Sequence, residues 1–328
     1  MKKIRNNPLS RRRFISMVAC AAGCAVVPGV ATAALPQPFR WQGDVMGGLA
    51  SMTLYTNDKK QAELVCEQCL TEIRRLEGIL SLYRPASSIR YLNKEGTLKN
   101  PPAELVQLVK KSIRLSELSE GAFDITLQPL WHYLFYAKEE TLDPKRIAAL
   151  QQLIDFRKIR VSDQLISLST PGMMITLNGI AQGFITDRIT KIFRQNGFKN
   201  VLVELGETYG SGRNAENRPW QIGIQSPDGQ DLLRIVDLEN LSLATSGGYG
   251  TPFGEGKELH HLIDPKTGSS AKRFKSVSVV AASATDADGL STTLALVGKE
   301  DHIRILNHFP GSSAYILTAE HTLESVVT

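Results

Sequence analysis

The chain has 328 residues, of which 42% are hydrophobic and 22% charged, a composition typical of a globular protein with one large domain or two small ones. Its formal net charge is +5, but residues 1–33 hold six basic residues and no acid. Without them, 32 basic residues face 33 acidic ones, a net charge of −1. This balance excludes the basic surface that nucleic-acid-binding proteins carry, so no nucleic-acid partner is expected.

The first predicted element is an export signal. Arg11, Arg12 and Arg13 precede Phe14-Ile15, an apolar run follows, and the segment ends in small residues at 31–33. Paired arginines in this position are typical of twin-arginine signals, so residues 1–33 are predicted to be a signal peptide and the product periplasmic. The apolar run is short and rich in Ala and Gly for a membrane span, and an uncleaved anchor is the alternative.

A strand is predicted at Met46–Thr56, followed by a helix at Lys60–Tyr83. The helix contains Cys66 and Cys69, spaced as in redox and metal-binding motifs. Because both cysteines follow the apolar periodicity and no second pair completes a zinc site, we expect them to pack in the core. A disulfide between them is the alternative in an oxidising compartment.

Further helices are predicted at Pro102–Ser119 and Ile180–Asn196, and a last one from Ala284 onward. Strands and hairpins lie between and after them, at residues 159–161, 165–168, 174–177, 201–205, 220–225, 232–238, 241–245, 276–282, 314–317 and 323–326. Helices and strands alternate irregularly, with several hairpins. This order predicts a mixed α+β fold and disfavours a regular parallel α/β sheet.

The helix from Ala284 carries two acids in its first turns, in the sequence ATDADGLSTT. Asp288 and Thr292 are four residues apart and therefore share one helix face. A carboxylate and a hydroxyl on one face are hard oxygen ligands that suit Mg²⁺. The alternative is that Asp286 or Asp288 only caps the helix.

Two other segments combine polar groups with a defined local structure. His260 and His261 precede Asp264-Pro265, a turn signal, and an imidazole near a loop end is a candidate general base. Adjacent residues of a strand face opposite sides, so at most one of these histidines points to a given site. Asp124 lies in an apolar frame, where its carboxylate must accept backbone N–H bonds or contact a ligand.

Six motifs in the same order resemble the ApbE family of FAD:protein FMN transferases, from about Met46 to Val297. They are Ser81-Leu82-Tyr83, Gly121–Leu130 (GAFDITLQPL), Gly179–Phe184 (GIAQGF) with Asp187, Ala244–Tyr249 (ATSGGY), His260–Gly268 (HHLIDPKTG) and Ala287–Thr292 (ADGLST). The resemblance implies an ApbE-like (T-fold-like) α+β unit spanning residues 34–328.

The resemblance also implies an activity and its residues. It is Mg²⁺-dependent transfer of FMN from FAD to a threonine hydroxyl of a target protein, with release of AMP. The implied catalytic candidates are His261 and Asp264. The implied metal ligands are Asp288, Thr292 and oxygen atoms of the loop from Gly179 to Ala181. The implied FAD contacts are Met46, Tyr83, Ala122, Phe123, Asp124, Gln182, His261 and Ile263.

This sequence departs from the family pattern at five positions. The family usually has Asp where this chain has Thr176, Thr208 and Gly248, Lys where it has Gln182, and Gly where it has Glu207. Two alternative functions therefore stay open: a flavin-binding maturation factor without transferase activity, and an FAD pyrophosphatase. The exported form is similar to the branch linked to nitrous-oxide reductase maturation, which implies a membrane-bound electron-transfer protein as acceptor.

Overall fold

The computed structural model describes residues 38–136, 142–250, 252–253 and 259–328, so the predicted signal peptide lies outside the described residues. The helices within these ranges are α1 (Lys59–Leu80), α2 (Ser88–Glu95), α3 (Ala103–Leu118), α4 (Gln128–Tyr136), α5 (Pro144–Gln151), α6 (Ala181–Gln195), α7 (Ala284–Leu296) and α8 (His302–Leu306). The strands are β1 (Pro38–Val45), β2 (Gly48–Tyr55), β3 (Thr97–Lys99), β4 (Ile159–Val161), β5 (Leu165–Leu168), β6 (Val201–Glu204), β7 (Thr208–Ser211), β8 (Trp220–Gln225), β9 (Leu232–Leu238), β10 (Leu241–Ser246), β11 (Pro252–Phe253), β12 (Leu259–His260), β13 (Ile263–Asp264), β14 (Ser269–Ser270), β15 (Phe274–Ala281), β16 (Ser313–Thr318) and β17 (Leu323–Val327).

An eight-stranded sheet with the order β1-β2-β6-β7-β10-β15-β16-β17 organises the fold, and its neighbouring strands are all antiparallel. Smaller antiparallel groups surround it: β3-β5-β4, β8-β9, β11-β12 and β13-β14. Antiparallel pairing allows short hairpin connections, and the β1–β2 turn is one of them. The fold is therefore the mixed α+β class that the sequence predicts.

The two faces of this sheet are covered differently. On β10, Ala244 belongs to the main core and its neighbour Leu243 to a separate cluster. Since successive strand residues point to opposite faces, these two clusters lie on opposite sides of the sheet. The main core holds the apolar faces of α1, α6 and α7, whereas the second cluster holds the inner side of the β8–β9 hairpin.

Helix α7 is the most enclosed helix of the described residues. Asp286 and Thr292 are its only residues that are not buried. Small residues let other elements approach it closely: a Cβ on Gly289 would lie 2.6 Å from Leu115 Cδ1. The polar side chains of α7 therefore contact a few defined neighbours, and only those of Asp286 and Thr292 are partly exposed.

Three parts of the fold differ from the sequence prediction. Met46 lies in the β1–β2 turn with φ of 53°, so the strand begins at Gly48 and is preceded by the unpredicted β1. The predicted strand at residues 174–177 is wrong, because this extended segment pairs with no strand. Four helices were not predicted, α2, α4, α5 and α8, since each is short and its burial depends on tertiary neighbours.

Cys66 and Cys69 lie in the main core as free thiols, which confirms the core prediction. Burial raises the pKa of Cys66 to about 12 and raises that of Cys69 further, so both thiols stay protonated.

Across the described residues, no helix combines the length and apolarity that crossing a membrane requires.

Candidate active site

The site is built where α6 and α7 begin, because the two helices touch backbone to backbone at that point. A Cβ on Gly183 would overlap the carbonyl oxygen of Ala284 and would lie 2.8 Å from Asp288 Cβ. Only glycine fits this crossing. The contact brings the N-terminal turns of both helices, and the partial positive charge at each, into one place.

Each helix supplies a carboxylate that accepts hydrogen bonds from N-terminal backbone amides of the other helix. Asp288 of α7 accepts a 2.9 Å bond at Oδ2 from the Gly183 N–H of α6. Asp187 of α6 accepts bonds from the Ala284 N–H (2.7 Å), the Thr285 N–H (2.9 Å) and the Thr285 hydroxyl (2.5 Å) of α7. Helix N-terminal amides have no partner within their own helix, so these carboxylates cap the helices reciprocally.

The expectation that Asp286 or Asp288 caps α7 is wrong in its simple form. The N-cap is Ser283, whose hydroxyl accepts from the Asp286 N–H at 3.1 Å and donates to Asp286 Oδ2 at 2.7 Å. Asp286 also pairs with Lys111 at 2.7 Å. Asp288, only 4% exposed, is thereby released from capping its own helix.

The Thr292 hydroxyl lies among oxygen atoms of other elements. Ser246 Oγ, at the end of β10, is 3.2 Å from Thr292 Oγ1 and 2.8 Å from Ser291 Oγ. A Cβ on Gly179 would lie 3.1 Å from Thr292 Oγ1 and 3.4 Å from the Phe123 ring. The structure thus brings together Phe123, Gly179 and Thr292, three residues predicted from separate motifs.

The loop that carries Gly179 is held by side-chain bonds where a strand had been predicted. The Asn93 amide group donates to the Ile175 carbonyl at 2.8 Å and accepts from the Ile175 N–H at 2.7 Å. The Thr176 hydroxyl accepts from the Asn178 N–H at 3.2 Å, a turn bond that an Asp at this position could also make. Replacement of Asp by Thr therefore retains the turn but removes a negative charge.

The donor set at this point fits a small hard cation. Asp288 and Thr292 offer a carboxylate and a hydroxyl on one face of α7, with Gly179 beside Thr292. Across the described ranges, no group of three or more His, Cys, Asp or Glu side chains is placed to hold a metal, which disfavours a structural zinc site. Mg²⁺ commonly takes one or two carboxylates and keeps several waters, so these residues fit it.

Asp124 accepts backbone N–H bonds, which is one of the two roles predicted for its carboxylate. Its carboxylate accepts bonds from the Thr126 N–H (2.8 Å), the Thr126 hydroxyl (2.7 Å) and the Phe156 N–H (2.9 Å). Burial raises the pKa of Asp124, and these three bonds oppose that rise. Asp124 thereby fixes the turn that sets Ala122 and Phe123 beside the core.

In the histidine pair, it is the His260 ring that lies against the glycine-rich turn after β10. A Cβ on Gly248 would lie between 2.6 and 2.8 Å from atoms of that ring. Burial lowers the pKa of His260, which favours the neutral imidazole. Asp264 accepts from the Lys266 N–H at 2.8 Å, and Ile263 packs with α4 in a separate apolar cluster. Asp264 therefore closes its own turn.

The predicted residues fall into two groups. Around the start of α6 and α7 lie Phe123, Gly179, Ala181, Gln182, Asp288 and Thr292. The others lie on separate elements: Met46 in the β1–β2 turn, half-exposed Tyr83 after α1, and Asp264 at the turn after β13. The sequence motifs include or adjoin Ser246, Asn93 and Asp187 but assign them no role, because their partners are distant in sequence.

Comparisons with known proteins match the chain to a sequence family and to solved structures. A sequence model of the ApbE family matches residues 46–317. The chain is 27% identical over 293 residues to the FAD:protein FMN transferase of Salmonella typhimurium, covering 85% of this chain and 83% of the relative. It is 30% identical over 255 residues to that of Vibrio cholerae, covering 74% and 75%. Its fold is similar to the solved flavin transferase ApbE from Vibrio cholerae, with a TM-score of 0.78 and 24% identity over 89% of this chain and 97% of that one.

Proposed function

This chain belongs to the ApbE family, and from that membership we infer that it transfers FMN from FAD to a protein. The observation that carries the inference within the molecule is the crossing of α6 and α7. Two helix N-termini meet there beside a buried carboxylate and a partly exposed hydroxyl. The Gly183, Ala284 and Thr285 amides are already bonded to carboxylates, so a pyrophosphate beside Asp288 requires a cation between the two negative groups.

We propose that Asp288, Thr292 and backbone oxygens of Gly179 and Ala181 hold Mg²⁺. When bound, the ion supplies neutralisation of charge on the pyrophosphate. The Gly183 amide keeps the Asp288 carboxylate in one orientation through its 2.9 Å bond. The close approach of Gly179 to Thr292 leaves little space for a side chain at position 179.

The proposed reaction is a phosphoryl transfer. A threonine hydroxyl oxygen of the acceptor forms a bond to the FMN phosphorus, the bond from that phosphorus to the AMP oxygen breaks, and AMP leaves. The hydroxyl proton passes to a base. Positioning and charge neutralisation contribute most to such a step. Asp264 closes its own turn, which favours His261 over Asp264 as the base. Loss of transfer with retained FAD binding in His261→Ala would support this role.

The proposed setting is periplasmic. The twin-arginine pattern in residues 1–33 supports export, and an exported acceptor, such as a membrane-bound electron-transfer protein, follows from it. Cell fractionation tests the location: recovery of the protein only from the cytoplasm would exclude this setting.

The decisive experiment incubates the purified protein with FAD, Mg²⁺ and an acceptor domain that carries a flavinylation threonine. We expect covalent FMN on the acceptor and an equal amount of AMP, both abolished by EDTA. An acceptor with that threonine replaced by Ala is the matched control. FMN and AMP released without acceptor labelling would identify a pyrophosphatase, and bound FAD without AMP would identify a binding protein. Either outcome would overturn the transferase proposal.

The Asp288→Asn variant tests the metal site. Replacing the carboxylate by an amide removes the only charged ligand that we propose, so the transfer rate should fall ~100-fold or more. Asp286→Asn is the matched control on the same helix, since Asp286 pairs with Lys111 and Ser283 instead. Initial rates of AMP release measure both. Equal rates for Asp288→Asn and the control would rule out Asp288 as a ligand.

A further inference from the structure

Asp187 lies outside the proposed ligand set, yet its carboxylate joins α6 to the first turn of α7. It accepts three hydrogen bonds, all from the first two residues of α7. Burial raises the pKa of Asp187, and the bonds from Thr285 and Ala284 oppose that rise. Burial of the Asp187 carboxylate costs solvation free energy, and its three hydrogen bonds oppose that cost.

The position of Asp288 depends on the same contact. Thr285 precedes Asp288 by less than one helical turn, so whatever fixes the first amides of α7 also fixes the direction in which Asp288 points. Asp288 then returns to α6 through the Gly183 amide, four residues before Asp187. The Asp187 and Asp288 contacts therefore link the two helices in both directions, and Gly183 lets their backbones touch.

Sliding or rotation of α7 against α6 would break both carboxylate contacts together. It would also move Thr292, which is one turn beyond Asp288 on the same face. A Cβ on Gly179 would lie only 3.1 Å from Thr292 Oγ1, so a shift of α7 would change how closely the hydroxyl lies to this loop.

We propose that Asp187 is a positioning residue for the flavin-transfer site. It sets the register of α7 against α6 and thereby places Asp288 and Thr292 for the cation and the pyrophosphate. This proposal rests on the proposed function. Partners of metal ligands that lie one shell further out typically change metal affinity or activity by about 10- to 100-fold when replaced.

A purely structural role would make a different prediction. The hydroxyl of Ser283 also caps α7, but both of its hydrogen bonds go to Asp286 of that same helix. Ser283→Ala removes a cap from the same helix end while leaving the link between the helices intact. If only helix stability matters, this variant and Asp187→Asn should affect the site in proportion to their loss of stability.

The experiment measures FAD binding by flavin fluorescence, once in EDTA and once in Mg²⁺, for wild type, Asp187→Asn, Thr285→Val and Ser283→Ala. We expect the gain in FAD affinity on adding Mg²⁺ to shrink about tenfold in Asp187→Asn and less in Thr285→Val. FAD affinity in EDTA should change little. Ser283→Ala should lower the melting temperature and keep the wild-type Mg²⁺ gain.

The outcomes separate this proposal from the proposed function. A wild-type Mg²⁺ gain in Asp187→Asn overturns the positioning role, as does an equal loss in Ser283→Ala at a matched loss of melting temperature. If Asp187→Asn fails to fold, an unchanged Mg²⁺ gain in Thr285→Val decides against the role. Failure of the wild-type protein to bind FAD would instead refute the proposed function, and the contact between α6 and α7 would then have no role in flavin transfer.

Discussion

At the scale of single residues, Gly183 decides whether the site can form. Any side chain there would meet the Ala284 carbonyl, which is backbone and cannot move aside as a flexible side chain can. The sequence contains other helical glycines that face open space, Gly78 of α1 among them. The same residue type thus has opposite effects at two helical positions, depending on what lies across from it.

Gly183→Ala should destabilise the protein by ~1–3 kcal/mol, because the added methyl forces α6 and α7 apart. Gly78→Ala is the matched control: a methyl in open space on a helix should stabilise by ~0.5–1 kcal/mol. Urea unfolding measures both changes. A neutral Gly183→Ala would contradict the backbone contact described here.

Two departures from the family pattern are also understood at this scale. Thr176 keeps a turn bond without the charge of an Asp, and Gly248 leaves room for the His260 ring. With Thr176 and Gly248 in place of Asp, Asp288 is the one carboxylate among the proposed metal ligands. This makes the proposed metal site dependent on a single side-chain charge.

At the scale of elements, α7 is held at its two ends by different groups. Asp187 bonds its first turn, and His302 of α8 reaches the Leu294 carbonyl near its last turn at 3.0 Å. His302 is fully buried beside Phe274. Burial lowers the pKa of His302, and its bond to Leu294 opposes that effect.

Stability should therefore fall as the pH drops through the range in which an unfolded histidine takes up a proton. The folded pKa of His302 lies below its usual value of 6.5, so below that pH the unfolded chain binds more protons than the folded one. His302→Gln should flatten the melting temperature between about pH 7.5 and pH 5.5. His308→Gln, at an exposed neighbouring position, is the control. An unchanged slope in His302→Gln would exclude this histidine as the source.

At the scale of the whole molecule, the central sheet lies between the helices of the proposed site and the β8–β9 hairpin. The β8–β9 hairpin covers the face opposite α6 and α7, and Trp220 anchors it. Trp220 is 6% exposed, stacks on Tyr55 with ring centroids 5.8 Å apart, and donates from Nε1 to the Ser211 carbonyl at 3.0 Å. Its contacts do not reach the helix crossing.

Trp220→Phe should lower the free energy of unfolding by ~1–3 kcal/mol, because the Ser211 carbonyl loses its buried donor. The affinity for FAD at a temperature well below melting should stay as in wild type, since the sheet lies between the hairpin and the site. Parallel unfolding and FAD titrations measure this separation. A matching loss of FAD affinity would show that the two faces are coupled.

The sequence by itself determined the mixed α+β class, the long helices, most sheet strands and the order of the motifs, because periodicity and turn residues act over short stretches of chain. It also identified Asp288, Thr292, Gly179 and Phe123 as candidates. Only the tertiary structure decided which groups meet. The bonds of Asp288 to Gly183 and of Asp187 to Ala284 join residues 105 and 97 positions apart, and no local pattern encodes such a pairing. For the same reason the segment at 174–177 is held by Asn93 instead of a strand, and the His260 ring is the one packed against Gly248.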